Sequence, residues 1–120
     1  MTTAQPTVER YTTRLERTLP ALQDRIERAT SAAGRSTSSV RLVAVTKAHP
    51  LAAIDAALVA GLVDLGENRV QELSEKVMAR GRGAATWHMI GHIQTRKARR
   101  AAECADLIHS VDSFRLAKRL

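Results

Sequence analysis

Arg41-Leu42-Val43-Ala44-Val45-Thr46-Lys47-Ala48-His49-Pro50 is the stretch that decides the fold. Its first six residues form a short apolar run rich in β-branched side chains, which suits a strand buried on both faces. Pro50 then opens a helical stretch from Leu51 to Ala60 that closes at Gly61. Between strand and helix, Thr46 to Pro50 contain no glycine, so the fingerprint of a dinucleotide-binding first turn is missing.

Downstream, the same strand-then-helix pattern recurs. Leu62-Val63-Asp64-Leu65 is the next strand candidate, and Arg69 to Arg80 the next helix, stopped by Gly81. Thr86 to Ile90 is a third strand, followed by helix from Gln94 to Glu103. Asp106 to Val111 is a fourth, and Ser113 starts a last helix. Such repetition means parallel βαβ units with right-handed crossovers. With no nucleotide fingerprint, the closed (β/α)8 (TIM) barrel is favoured over the open doubly wound sheet. A barrel takes about 250 residues, and this chain has 120. The expected fold is therefore α/β: the N-terminal half of a (β/α)8 barrel, one partial domain over residues 1–120 with about four β/α units in residues 41–120. Upstream, Val8, Tyr11, Leu15, Leu19, Leu22 and Ile26 form a helical stripe within residues 7–33. Pro20 predicts a kink there, or two successive helices. Gly34 ends the segment, and Ser36 to Ser39 form a polar loop.

Composition excludes several classes of function. Hydrophobic residues make up 44% and charged residues 26%, which fits an ordinary globular domain. The aromatics are Tyr11, Trp87 and Phe114, too few for a base-stacking nucleic-acid platform. The longest uncharged stretch, Gly83 to Thr95, is too short for a membrane span, which needs about 20 apolar residues. A lone Cys104 and an N-terminus without an apolar signal region point to the cytoplasm. The net charge of +7 is concentrated in Arg80, Arg82, Arg96, Lys97, Arg99 and Arg100, with no acid between Glu75 and Glu103. That run reads either as an anion or nucleic-acid surface or as a solvated helix face.

Barrel chemistry sits where strands end. Those positions hold Lys47, then Gly66-Glu67-Asn68, then His88 with Gly91, His92 and Gln94, then Ser110 and Asp112. An ammonium next to a dry strand is disfavoured by desolvation, which suits Lys47 to attack a carbonyl and form a Schiff base. Its other reading is a lysine that snorkels to the rim. Asn68 reads as the N-cap of the helix beginning at Arg69, with Glu67 supporting Asn68 or a neighbouring lysine. His88 reads as a hydrogen-bonded core histidine or as a site residue. No zinc-ligand spacing occurs among the four histidines, and Cys104 reads as a small packing residue.

Taken in order, Val43-Ala44-Val45-Thr46-Lys47, Gly66-Glu67-Asn68-Arg69-Val70-Gln71-Glu72, Trp87-His88-Met89-Ile90-Gly91-His92-Ile93-Gln94 and Ile108-His109-Ser110-Val111-Asp112-Ser113 resemble the pyridoxal phosphate homeostasis protein family, which is related to the N-terminal barrel of alanine racemase. The resemblance runs from Thr7 to Leu120. It implies that Lys47 holds pyridoxal 5′-phosphate (PLP) as a Schiff base, that Asn68 lines the pocket, that His88 and the Ile90-Gly91 turn shape its floor, and that Ser110 sits on the next strand end. It implies a cofactor carrier in PLP homeostasis rather than an enzyme with a defined turnover. PLP-dependent enzymes or amino and keto acids are its implied partners. The chain departs from the family at Ile93, usually Leu, and at Arg96, usually Asn. The family's later half supplies the phosphate cradle, so the resemblance implies a truncated chain or a fragment with weakened PLP affinity and self-association through open barrel edges. A racemase or decarboxylase of the same barrel type is the enzyme alternative, disfavoured because Tyr11, the one tyrosine, lies in the N-terminal helix. A basic nucleic-acid module is the third reading.

Overall fold

A computed structural model describes residues 7–120. Its elements follow in the order α1 (Val8–Ala32), β1 (Ala44–Val45), α2 (Leu51–Val59), β2 (Asp64–Glu67), α3 (Val70–Arg80), β3 (Thr86–Met89), α4 (Ala98–Cys104), β4 (Leu107–Ile108) and α5 (Phe114–Arg119), with short 3-10 turns at Thr37–Ser39, Arg82–Ala84 and Thr95–Lys97. The four strands form one parallel sheet in the order β1-β2-β3-β4. Each strand lies beside its successor, as in a singly wound barrel and unlike a doubly wound sheet, whose order reverses. Among the described residues β1 and β4 are paired on one side only, which makes the molecule an open half of a (β/α) barrel.

Register assigns the two faces of the sheet. Ala44, Leu65 and Trp87 are aligned, and so are Val45, Gly66, His88 and Leu107. Side chains alternate along each strand, so Leu65, Trp87 and Met89 share one face. They pack there with Ile54 and Ala57 of α2, Leu73 and Val77 of α3, Ala98, Ala101 and Cys104 of α4, and Leu116 of α5. Cys104 is a buried packing residue, as its sequence context suggests. The opposite face carries Val43, Val45, Asp64, Gly66, His88 and Leu107. Its outer apolar members are uncovered, Val45 being 48% and Leu107 41% exposed. The expectation that Arg41–Thr46 forms a strand buried on both faces is thus corrected: only Ala44–Val45 is strand, and it lies at a sheet edge where a neighbour is lacking on one side. The Cα radius of gyration of 16.2 Å exceeds the roughly 14 Å of a compact domain of this length, in keeping with an open sheet.

Three further boundaries differ from the sequence pattern. Of the two expectations at Pro20, the division into two helices is corrected: the N-terminal segment is one continuous helix with Pro20 inside it. Pro20 lies on the exposed side, while Leu19 and Leu15 pack on the core; the tertiary contacts hold the helix through a position that lacks one backbone hydrogen bond. Between Gln94 and Glu103 the chain makes a 3-10 turn before α4 begins at Ala98. The fourth strand contracts from Asp106–Val111 to Leu107–Ile108, because no fifth strand pairs with its outer side. The last helix starts as its sequence indicates, with the Ser113 hydroxyl accepting from the Leu116 N–H.

Because Pro20 is exposed and costs a helix one hydrogen bond, Pro20→Ala is expected to stabilise the chain by roughly 2–3 kcal/mol, read as a higher urea midpoint with an unchanged slope.

Candidate functional site

Parallel pairing brings the residues that follow all four strands to one rim. Lys47 lies there after β1, exposed to solvent. The desolvation expected of it from its position after an apolar strand is corrected: the strand is a half-exposed edge and does not shield the ammonium. What is held in place is the backbone on either side of it. Thr46, immediately before it, is buried, and the Thr46 hydroxyl donates to Glu67 Oε1 at 2.5 Å. The Thr46 carbonyl accepts from Lys76 Nζ at 2.8 Å. Ala48, immediately after Lys47, has a φ of 61°, and its N–H donates to Glu72 Oε1 at 2.7 Å. A left-handed backbone at a non-glycine residue costs about 1 kcal/mol or more, so that bond offsets a real penalty.

Lys76 of α3 ties these groups together. Its Nζ also reaches Glu67 Oε1 at 2.6 Å and Glu72 Oε1 at 2.8 Å. Lys76 and Glu67 are buried and Glu72 is partly exposed, the side chains being 6%, 0% and 25% accessible. Burial raises the Glu72 pKa, but hydrogen bonds from Lys76 and the Ala48 N–H, with the charges of Lys76 and Arg69, outweigh it and hold this carboxyl below its usual range. Glu67 Oε2 is buried with no hydrogen-bond partner. Of the two partners considered for Glu67, the neighbouring lysine is the one it takes.

The remaining rim residues form a second group. The Ile90 N–H donates to the Glu67 carbonyl at 2.9 Å, bringing the turn after β3 onto the end of β2. Gly91 packs directly on Asn68: a Cβ there would lie 2.8 Å from the Asn68 carbonyl carbon and closer still to its oxygen. Ser110 donates its hydroxyl to the Gly91 carbonyl at 2.5 Å. Asn68, Gly91 and Ser110 are therefore assembled side by side. Asn68 is exposed and does not cap α3; the N-cap position falls on Arg69, which makes no side-chain capping bond, because β2 runs on through Glu67 and shifts the helix start by one residue.

His88 belongs to neither group. It is buried on the sheet face, with Nε2 against Asp64 Oδ1 at 2.9 Å and Nδ1 against His109 Nε2 at 2.8 Å. Arg41 meets the same Asp64 oxygen at 2.7 Å. Burial pushes the Asp64 carboxyl up, and the hydrogen bonds and charges of Arg41 and His88 bring it below its ordinary value. This is the hydrogen-bonded core histidine foreseen as one reading of His88. Tyr11, which lies in the N-terminal helix as expected, brings its hydroxyl within 3.1 Å of His49 Nδ1, two residues beyond Lys47. The basic run is largely committed to local pairs: Arg80 with Asp55, Arg82 with Asp106, and Arg99 and Arg100 with Glu103. Among the described residues no cluster of three or more His, Cys, Asp or Glu suits a metal ion, and no helix is long and apolar enough to cross a membrane.

Comparison with known proteins gives one consistent answer. The chain is 45% identical over 96 residues to the pyridoxal phosphate homeostasis protein of Pseudomonas aeruginosa, covering 80% of this chain and 42% of that protein. It is 39% identical over 105 residues to the protein of the same description from Escherichia coli, covering 85% and 45%. Among solved structures it is similar to PipY of Synechococcus elongatus with PLP bound, with a TM-score of 0.64, 47% identity and coverage of 79% and 45%. It is also similar to an unknown protein from Bifidobacterium adolescentis, with a TM-score of 0.76, 35% identity and coverage of 93% and 48%. No protein-family model matches. The chain spans about half the length of the curated relatives it matches.

The close approach of Gly91 to Asn68 has a direct consequence. Gly91→Ala forces the β3 turn off the end of β2 and is expected to cost roughly 1–3 kcal/mol, measured as a lower urea midpoint.

Proposed function

The chain belongs to the pyridoxal phosphate homeostasis protein family, and on that premise we propose that it binds pyridoxal 5′-phosphate covalently and reversibly through Lys47, as a carrier without a defined turnover. The position of Lys47 carries this reading: an exposed amine at the end of β1, whose neighbours are held on one side by the buried Lys76 and on the other by the partly exposed Glu72. When bound, the cofactor supplies an aldehyde. Lys47 would supply the amine that condenses with that aldehyde with loss of one water, and hydrolysis would return the free amine. An amine open to solvent suits exchange with a free pool of a reactive aldehyde.

The residues present fit that end of the cofactor. Asn68, Gly91 and Ser110, already packed together on the same rim, are the groups that would line its ring. His88, occupied by Asp64 and His109, would support the sheet beneath them rather than donate to the ligand. The proposed partners beyond PLP are PLP-dependent enzymes that receive it, amino or keto acids as effectors, and a second copy pairing with the open edges of the sheet. We place a racemase or decarboxylase second. Its acid–base group would have to be Tyr11, whose hydroxyl is engaged by His49.

Mixing the chain with PLP is expected to produce the long-wavelength absorbance of a covalent amine adduct. Lys47→Ala should abolish that band; an unchanged band in the variant would remove Lys47 from the site.

A further inference from the structure

Lys47 is flanked by two backbone groups that α3 holds from below. On one side Lys76 Nζ donates to the Thr46 carbonyl at 2.8 Å; on the other the Ala48 N–H donates to Glu72 Oε1 at 2.7 Å. The same Glu72 oxygen takes Lys76 Nζ at 2.8 Å, and Glu67 Oε1 takes both Lys76 Nζ and the Thr46 hydroxyl. The peptide units on either side of Lys47 are thus joined through one helix face, while its own side chain is left free.

We propose that Glu72, anchored by Lys76, is the positioning residue for Lys47: it fixes the backbone on the Ala48 side of the amine, as Lys76 does on the Thr46 side, and so presents that amine at the rim in one direction. This rests on Lys47 being the amine that receives PLP. Three features argue for positioning rather than simple helix stabilisation. A surface Glu–Lys pair four residues apart on a helix is worth little and has no need of burial, yet this Lys76 is almost completely buried. Both carboxylates that surround it also accept from the loop bearing Lys47. Ala48 is the one non-glycine residue with positive φ among the described residues, so without Glu72 its N–H loses the bond that holds the loop in this conformation.

Glu72 is partly exposed and lies on a helix, so Glu72→Ala keeps a good helix former and leaves the core intact. Residue-resolved amide exchange of the full chain is expected to show the Ala48 N–H exchanging at least about tenfold faster in Glu72→Ala, because a bond to a charged acceptor is lost. The amide of Ala101 in α4 should be unchanged. After borohydride reduction with PLP, the pyridoxyl label on Lys47 should fall several-fold in the same variant. Glu72→Gln, whose amide oxygen still accepts from Ala48, should restore both. Unchanged exchange at Ala48 overturns the clamp. Faster exchange at Ala48 with undiminished label on Lys47 overturns its positioning role. A wild-type chain that takes no label on Lys47 fails the cofactor reading itself, and is distinguished from both by the unsubstituted protein alone.

Discussion

A single buried ammonium holds the working end of this sheet in place. Lys76 enters from α3 beneath the rim and meets three oxygens, one from each of Glu67, Glu72 and the Thr46 backbone. Taking a charge out of water costs several kcal/mol, which is recovered only when geometry and additional hydrogen bonds are good. Here the three short contacts meet that condition for Lys76, while Glu67 keeps one oxygen without a partner. Such a cluster adds little net stability over an apolar core of the same volume. What it contributes is definition: β2, α3 and the loop after β1 each supply atoms, so none can slide without breaking the others' bonds.

That constraint accounts for the division of labour along the rim. The end of β1 is held from the helix side of the sheet, and its lysine is left free. The ends of β2, β3 and β4 are held differently, by the close packing of Gly91 on Asn68 and the hydrogen bond from Ser110. The opposite sheet face is ordered by a polar chain running from Arg41 through Asp64 and His88 to His109. The rim is thus held by packing and hydrogen bonds, and the Lys47 side chain stands exposed upon it.

Much of this was legible in the residues. The strand–helix alternation and the absent glycine fingerprint pointed to consecutive parallel units of a barrel, and the sheet order bears that out. Where local patterns misled, tertiary context was the reason. Pro20 sits in an unbroken helix because Leu15 and Leu19 pack on the core around it. The outer strands are shorter than their apolar runs because each lacks a neighbour. Asn68 has the chemistry of a cap, but β2 extends past its apolar residues into Glu67 and moves the helix start. Lys47 could be singled out by its place after a strand, and its ordered companions carried the family resemblance. The clamp was missed because its members lie far apart in sequence. Glu72 and Lys76, four residues apart on one helix face, were the only local sign, and that spacing is common on solvent-facing helices.

The central claim is that the amine at the end of β1 is where PLP attaches. Borohydride reduction of the chain mixed with PLP, followed by peptide mapping, tests it most directly. A pyridoxyl mass on the peptide containing Lys47, with Lys76, Lys97 and Lys118 unlabelled, is the predicted result. Label on another lysine, or on none, would contradict the account.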